Sequence, residues 1–394
     1  MRRLLGVLIG FTVLAAACVE PRGSEGAPSP GGPATPTFDP VETGLRVPTV
    51  GWRTDFSRHE VPLEEIIGGG PGKDGIPAID EPKFYPVDRV DWLVDREPVI
   101  AFGIDGDWRA YPIRILIWHE IVNDVVAGVP VAITFCPLCH TSIAFDRHLN
   151  GRVLDFGTTG NLRHSDLVMY DRQTESWWQQ ATGQAIVGEL AGAQLQFLPS
   201  QLISWAQFRD LHPTGTVLSP ETGHPRDYDR NPYPGYDRVD SNPFLMDQTL
   251  IDGRLSPKVR VLGIVIGDDA AAYPFPFMAE HRVVNDEVGG EPIVVFWVDG
   301  AASGLGGPTV AGGEIVGAAN AFSRDIGVTI LTFEPAGDGV MRDAETGSSW
   351  SFDGRATAGP LAGTQLELLV ADSPFWFAWA VFRPDTRIWQ PGQG

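Results

Sequence analysis

Hydrophobic residues along the chain occur in short runs separated by turns rich in glycine, aspartate and asparagine, a pattern typical of β-sheet proteins. Residues 99–104 and 108–111 predict one hairpin. The Asn-Gly turn at residues 150–151 predicts another, with residues 142–145 and 152–156 as its strands, because this dipeptide favours tight two-residue turns. The pattern therefore predicts a mainly β fold with short helices, of the α+β class.

Helices are predicted at three places. Residues 112–120 favour a short helix over a strand. Ser200 precedes residues 201–211, where apolar side chains recur at helical spacing, and it is predicted to cap a helix there. Ser373, followed by proline, is predicted to cap an aromatic helix near the C-terminus.

The chain repeats itself. Residues 99–130 align with residues 261–292 without a gap, and both segments share Tyr-Pro, His, Asn-Asp, Gly and Pro at the same positions. A later stretch matches as well: Asp171, Thr174, Ser176 and Trp178 correspond to Asp343, Thr346, Ser348 and Trp350. We therefore predict two tandem homologous β-rich units that form one pseudo-symmetric body.

The repeat and the composition together suggest how the chain is divided. The predicted segments are a signal peptide (1–17), a lipid-anchored flexible tether (18–47), an N-terminal extension (48–97), a first repeat unit that carries two cysteines (98–213), a connector (214–257) and a second, cysteine-free repeat unit (258–389).

The N-terminus has the features of a bacterial export signal. Arg2 and Arg3 precede an apolar stretch, residues 4–14, that is too short to span a bilayer. Small residues then lead to Cys18, which resembles the lipobox of bacterial lipoproteins and implies acylation of the Cys18 thiol; an ordinary signal peptide with an incidental cysteine is the alternative. Residues 19–47 are rich in Pro, Gly, Ser, Ala and Thr, which predicts a flexible tether. We expect an extracytoplasmic protein that its lipid holds at the outer face of the cell membrane.

The balance of charges limits the possible partners. The chain has 29 Lys and Arg against 50 Asp and Glu, a formal net charge of −21. Proteins that bind nucleic acids or anionic lipid surfaces present clusters of basic side chains. We therefore expect no nucleic-acid partner, and contact with the membrane only through the N-terminal lipid. The sequence does not identify a substrate.

The sharpest chemical feature is the Cys-Pro-Leu-Cys motif formed by Cys136 and Cys139, since the only other cysteine is Cys18. The motif follows residues 129–135, an apolar run rich in β-branched side chains that predicts a buried strand. The second repeat has no cysteine at the corresponding positions. Any chemistry is therefore expected within residues 98–213.

Four kinds of chemistry fit the cysteine pair. Two thiolates with an imidazole would form a soft site suited to copper or zinc. The pair could instead cycle between dithiol and disulfide, or form a permanent disulfide outside the cytoplasm. With His140 the motif also matches the attachment signature of c-type haem, but it directly follows a predicted strand, so we interpret this match as a coincidence.

His119, His140 and Glu120 are candidates for completing a metal site. His119 lies one strand before the cysteines and His140 adjoins them. His281 takes the place of His119 in the cysteine-free unit, so a structural role for His119 is the favoured interpretation. Glu120 aligns with Arg282, so its carboxylate is confined to the unit with the cysteines. It is a candidate ligand or general base, and a solvated surface carboxylate is the alternative.

Two arginines and a second polar cluster complete the candidate residues. Arg147 or Arg172 could supply the cation that lowers the pKa of a redox-active thiol. Trp177 and Asp171 could line a groove that binds a sugar or a peptide. Because Asp171 and its neighbours recur in the second unit, a turn-forming role is the favoured interpretation of Asp171.

The chain resembles the family catalogued as domain of unknown function 3179 from about residue 54 to residue 389. The similarity rests on the motifs Asp74-Gly75-Ile76-Pro77-Ala78, Ala110-Tyr111-Pro112, His119-Glu120-Ile121-Val122-Asn123-Asp124, Cys136-Pro137-Leu138-Cys139, Met169-Tyr170-Asp171-Arg172, Thr174 and Ser176-Trp177-Trp178. The family's activity is not established, and many of its members look exported. The resemblance implies that the cysteine motif is a family feature, whereas His140 departs from the family, in which other small or polar residues are usual.

Overall fold

The structure is a computed structural model that describes residues 44–337 and 339–392. The first part of this range contains strands β1 (Ile66–Gly68), β2 (Phe84–Pro86), β3 (Pro98–Ile104), β4 (Asp107–Pro112), β5 (Ile121–Val126), β6 (Val129–Cys136), β7 (Thr141–Asp146), β8 (His148–Leu149), β9 (Arg152–Val153), β10 (Phe156–Arg163), β11 (Asp166–Asp171), β12 (Trp177–Gln179), β13 (Gln184–Val187), β14 (Phe197–Leu198), β15 (Gln201–Ser204) and β16 (Thr216–Leu218). The second part contains β17 (Val261–Ile266), β18 (Asp269–Pro274), β19 (Val283–Val288), β20 (Glu291–Val298), β21 (Ala318–Ser323), β22 (Phe333–Pro335), β23 (Met341–Asp343), β24 (Ser349–Trp350), β25 (Ala356–Ala358), β26 (Ala371–Asp372) and β27 (Arg387–Ile388).

Short helices connect some of these strands. The α-helices are α1 (Ile113–His119), α2 (Trp205–Leu211), α3 (Phe275–His281) and α4 (Trp376–Phe382), and the 3-10 helices are Leu63–Glu65, Val87–Arg89, Gln248–Leu250 and Val310–Gly312. The predicted mainly β fold with short helices is confirmed.

The strands form several small sheets rather than one large one. The sheet with the order β14-β7-β6-β5 carries the cysteine motif, and Asp166 on strand β11 of the sheet with the order β1-β10-β11-β12-β13 accepts a hydrogen bond from Cys139 of this motif. A third sheet has the order β15-β3-β4-β16-β2. The second part of the chain forms sheets with the orders β26-β17-β18-β27, β19-β20-β21 and β22-β23-β24-β25.

The local predictions are correct where neighbouring residues decide the structure. The β3–β4 hairpin forms as predicted, with Val99 paired to Pro112. Helix α1 follows directly and ends at His119, because the next residue, Glu120, has a left-handed backbone (φ 59°) that terminates the helix. The turn at residues 150–151 also forms, but its strands β8 and β9 have two residues each. Residues 142–145 belong instead to β7, because β7 makes a longer ladder with β6.

The two predicted helix caps are wrong. Residues 201–204 form β15, which pairs with β3, so helix α2 starts only at Trp205. Ser204, not Ser200, caps it: its side chain accepts from the N–H of Gln207, and the Gln207 side chain bonds back to the Ser204 N–H. Phe375 precedes α4 and offers no side-chain cap, so Ser373 does not cap that helix.

Both halves of the chain contribute to one hydrophobic cluster. Trp205 and Phe208 of helix α2 are buried together with Phe296, Phe322 and Trp350 from the second half. Such a shared core removes large apolar surfaces of both halves from water at once.

The two halves also contain matching hydrogen bonds between a tyrosine and an aspartate, one buried and one partly buried. Tyr111 donates to Asp124 (2.6 Å), and Tyr273 donates to Asp286 (2.7 Å). In each half the tyrosine lies on one strand (β4 or β18) and the aspartate on the next strand along the chain (β5 or β19), with a seven-residue helix between the two strands.

Candidate functional site

The cysteine motif forms the turn between strands β6 and β7. Cys136 is the last residue of β6, and the His140 N–H donates to the Cys136 carbonyl (2.8 Å), which closes the turn. His140 has a left-handed backbone (φ 60°), a conformation that histidine tolerates better than most residues. The closed turn brings Sγ of Cys136 and Sγ of Cys139 to 3.4 Å from each other, and both thiols are free and buried.

A second turn brings Asp166 to the same place. Strands β10 and β11 are joined by His164 and Ser165, which both have positive φ (54° and 66°), as the two-residue turns of β-hairpins require. The Cys139 thiol donates to the Ser165 carbonyl and to Asp166 Oδ1, at 3.2 Å each. The two sulfurs and one carboxylate oxygen of Asp166 all lie within 4.8 Å of one another.

Burial strongly affects the charges of this cluster. It raises the pKa of the Cys136 thiol, and it raises the pKa of the Cys139 thiol more strongly. Burial also raises the pKa of Asp166 to about 6, although Asp166 accepts hydrogen bonds from the Gln179 side chain (2.5 Å) and the Ala181 N–H (2.9 Å). Without a cation, the site therefore favours protonated thiols, and a positive ion would remove the cost of ionising all three groups.

Residues from the second half hold the cysteine turn in position. The Phe375 N–H donates to the Cys139 carbonyl (2.8 Å), and His140 Nδ1 bonds to the Ser373 carbonyl (2.8 Å). Asp372 accepts a backbone hydrogen bond from strand β7 (2.8 Å). The three cluster residues lie within residues 98–213, and residues 372–375 of the second half support the turn that carries the cysteines.

A cavity of about 310 Å³ adjoins the cysteine turn. Leu138, between the two cysteines, lines it together with Glu120. Tyr233, Tyr236 and Phe244, all from the predicted connector, form another part of its wall. A largely apolar cavity with a few polar groups is the usual form of a small-molecule site.

Glu120 is the one acidic side chain among the described residues that line this cavity. Only 6% of Glu120 is exposed, and its carboxylate has no hydrogen-bond or ion-pair partner among the residues that the structure describes. Burial, with the nearby charge of Asp166, raises the pKa of Glu120 to about 8. Glu120 does not belong to the Cys136–Cys139–Asp166 cluster, and its side chain is buried, unlike a solvated surface carboxylate.

The structure does not bring His119 or His140 into the Cys136–Cys139–Asp166 cluster. His119 Nδ1 bonds to the Pro77 carbonyl and Nε2 to the hydroxyl of Tyr228, both at 2.7 Å, so both ring nitrogens have partners elsewhere. Burial lowers the pKa of His119 to about 4 and that of His140 to about 3, so both imidazoles are neutral at physiological pH.

The two candidate arginines also lie away from the thiols. Arg147 is buried and bonds to the carbonyls of Leu154 (2.9 Å) and Asp124 (3.1 Å) and to the side chain of Asp155. Arg172 forms an ion pair with Asp80 (2.6 Å). Both guanidinium groups therefore form their hydrogen bonds and ion pairs with other residues and not with the thiols.

The candidate groove residues are part of the core. Asp171 accepts hydrogen bonds from Thr174 and from Nε1 of Trp178 (3.0 Å), as the turn-forming interpretation predicts. Trp177 is fully buried and packs edge-to-face on Trp52 and Phe56, with ring centroids 5.1 and 5.0 Å away.

Cys18, the predicted lipidation site, lies outside the described residues. Across 44–337 and 339–392, no helix has the length and apolar character needed to cross a membrane.

The cluster and its cavity occur in a chain that belongs to a family of unknown function. The model of the family described as "Protein of unknown function (DUF3179)" matches residues 73–386, which include every residue of the cluster and all but two of the residues that line the cavity. No curated protein and no solved structure matches the chain.

Proposed function

We propose that this member of the DUF3179 family binds a metal ion, zinc or copper, through Cys136, Cys139 and Asp166. The observation that carries the proposal is the convergence of two sulfurs and one carboxylate oxygen within 4.8 Å of one another in the interior. The sequence suggested the two thiols but named histidines as their partners, whereas the carboxylate of Asp166 is the group found beside them.

The spacing and the chemistry of the three groups suit zinc best. Two sulfurs bound to one tetrahedral zinc ion lie about 3.8 Å apart, since each bond is about 2.3 Å long. The 3.4 Å between the thiols is close to this value. A carboxylate is a hard ligand that Cu(I) does not favour and Zn(II) accepts. Three protein ligands also leave the fourth position of a tetrahedral zinc ion for a small molecule.

Thiol–disulfide exchange is the second candidate, and the contact between the two free thiols favours it. Exchange requires a thiolate, however, and burial raises the pKa of both cysteines. With Arg147 and Arg172 bonded elsewhere, no described cation stabilises a thiolate here. Metal binding therefore explains the site better.

Metal analysis of the full-length protein tests the proposal. We expect one zinc or copper ion per chain, lost in Cys136→Ser/Cys139→Ser and bound at least about tenfold more weakly in Asp166→Asn. His119→Gln is the matched control, because it keeps a polar side chain at a residue with partners elsewhere, and it should retain the metal. A metal-free protein with a quantitative Cys136–Cys139 disulfide would contradict metal binding and favour the structural alternative.

We also propose that the protein is a lipid-anchored extracytoplasmic protein. The support is the sequence before and at Cys18 and the flexible composition of residues 19–47. The native protein should partition with membranes and into a detergent phase, and Cys18→Ser should release it. Recovery of unmodified wild-type protein wholly in the soluble fraction would contradict the anchor.

The two halves of the chain are proposed to descend from one duplicated unit. The paired hydrogen bonds of Tyr111 and Tyr273 support this, as do the Trp178–Asp171 and Trp350–Asp343 bonds (3.0 and 2.8 Å). The second unit would then keep the scaffold without the cysteines.

A further inference from the structure

The carboxylate of Glu120 is unexplained by metal binding. It lines the cavity, is buried and has no partner among the described residues. An unpaired buried carboxylate costs several kcal/mol unless a positive charge or a proton compensates it. None of the described residues that line the cavity is basic. No described residue that lines the cavity therefore pairs with Glu120, and a ligand that carries a positive charge would stabilise the ionised form of this carboxylate.

Aromatic rings surround the same space. Tyr233 and Tyr236 lie edge-to-face, with centroids 6.3 Å apart. The Phe244 N–H donates to the Tyr236 hydroxyl (3.1 Å), and 46% of Phe244 is exposed, so this ring lies where the cavity meets solvent. The Tyr233 hydroxyl has no hydrogen-bond partner among the described residues. Ring faces attract organic cations, most strongly when the cation is removed from water.

We propose that this cavity binds a small organic cation, such as a quaternary or tertiary amine, between Glu120 and the rings of Tyr233, Tyr236 and Phe244. The volume of about 310 Å³ lies at the small end of the range for ligand sites and suits a molecule of this class. The apolar part of the wall, which includes Leu138, suits the methyl groups that such a cation carries. The cation site does not require the metal, since no member of the cluster belongs to this set.

One basic side chain lies near the rings without filling the cavity. Lys258 Nζ is 3.5 Å from the centroid of the Tyr236 ring, and it bonds to the Tyr236 carbonyl (2.5 Å) and the Ser241 hydroxyl (2.9 Å). Lys258 is not among the residues that line the cavity. Its ammonium group therefore bonds to Tyr236 and Ser241 and forms no ion pair with Glu120.

Calorimetric titration with choline tests the proposal, with the uncharged analogue 3,3-dimethylbutan-1-ol as the matched probe. Both are titrated into the full-length protein, once treated with chelator and once loaded with zinc. We expect saturable choline binding at least about tenfold tighter than binding of the alcohol. Glu120→Gln should remove most of this preference, and Phe244→Leu, at a solvent-exposed position, should weaken choline several-fold. Glu81→Gln, which changes an exposed carboxylate outside the cavity, should bind choline as tightly as the wild-type protein does.

Three results would overturn the cation site. The first is the absence of saturable choline binding in both the chelator-treated and the zinc-loaded protein. The second is equal binding of choline and the alcohol, and the third is unchanged choline binding in both Glu120→Gln and Phe244→Leu. Zinc content, measured on the same samples, keeps the two proposals separate. Choline binding by a protein that takes up neither zinc nor copper would refute the metal site alone.

Discussion

Glu120 provides a direct test of the electrostatics of the site, because its buried carboxylate has no partner. In the folded protein the pKa of Glu120 is raised from 4.5 to about 8. The protonated form is thus the one that the fold accommodates. The stability contributed by this proton is complete below pH 4.5 and is lost as the pH rises towards 8, because the unfolded chain releases the proton first.

The raised pKa converts into an upper limit of about 5 kcal/mol of lost stability above pH 8, at 1.36 kcal/mol per pKa unit. Glutamine has the shape of the protonated side chain and does not ionise. We therefore expect Glu120→Gln to be more stable than wild type at pH 8.5, by a margin about 4 kcal/mol larger than at pH 5.

Urea denaturation of both proteins at pH 5 and pH 8.5, in the presence of a chelator, measures this difference. Any cost of the amide that does not depend on pH cancels between the two conditions. Glu81→Gln, at an exposed carboxylate, is the control and should follow wild type. Equal differences between Glu120→Gln and wild type at the two pH values would show that Glu120 is not held in a desolvated site.

Three further predictions concern the scaffold. Ser204→Ala should lower the free energy of unfolding by about 1 kcal/mol through loss of the helix cap, whereas Ser200→Ala should change it little, as urea denaturation would show. Burial raises the pKa of Asp372 from 3.8 to about 6, so wild type should lose up to about 3 kcal/mol between pH 4 and pH 7, and Asp372→Asn should reduce this loss in the same assay. Tyr111→Phe and Tyr273→Phe should each cost about 2 kcal/mol, and clearly unequal costs would weaken the case for equivalent positions.

The sequence predicts those parts of the fold that neighbouring residues determine. The β3–β4 hairpin, helix α1 and strand β6 follow from local hydrophobic patterns and turn residues, and all three form. The cap of helix α2 could not be placed in this way. Two serines precede that helix, and the choice of Ser204 depends on the pairing of β15 with β3, a contact between distant parts of the chain.

The candidate site was likewise predictable from the sequence only in part. The cysteines were evident because they are rare, and Glu120 was singled out because Arg282 takes its place in the second half. Asp166 was missed, since the turn that delivers it uses His164 and Ser165 rather than the glycine or asparagine that marks such turns.

The aromatic wall of the cavity was missed for a different reason. Its tyrosines and phenylalanine lie in residues 214–257, whose Pro-, Asp- and Tyr-rich composition indicated only a connection. Composition alone does not show that a connecting segment folds back over a site built by other strands.

The contacts between the cysteine turn and residues 372–375 affect the order in which the protein can assemble. His140 and its partner Ser373 are 233 residues apart in sequence, and the ribosome makes the C-terminal partner last. Until that segment arrives, the turn lacks the hydrogen bonds to Ser373 and Phe375, and we expect its thiols to be less protected from oxidation. Binding of the proposed metal is therefore expected to follow synthesis of the whole chain. Chains that end before residue 372 should remain vulnerable at their cysteines, however well their first half folds.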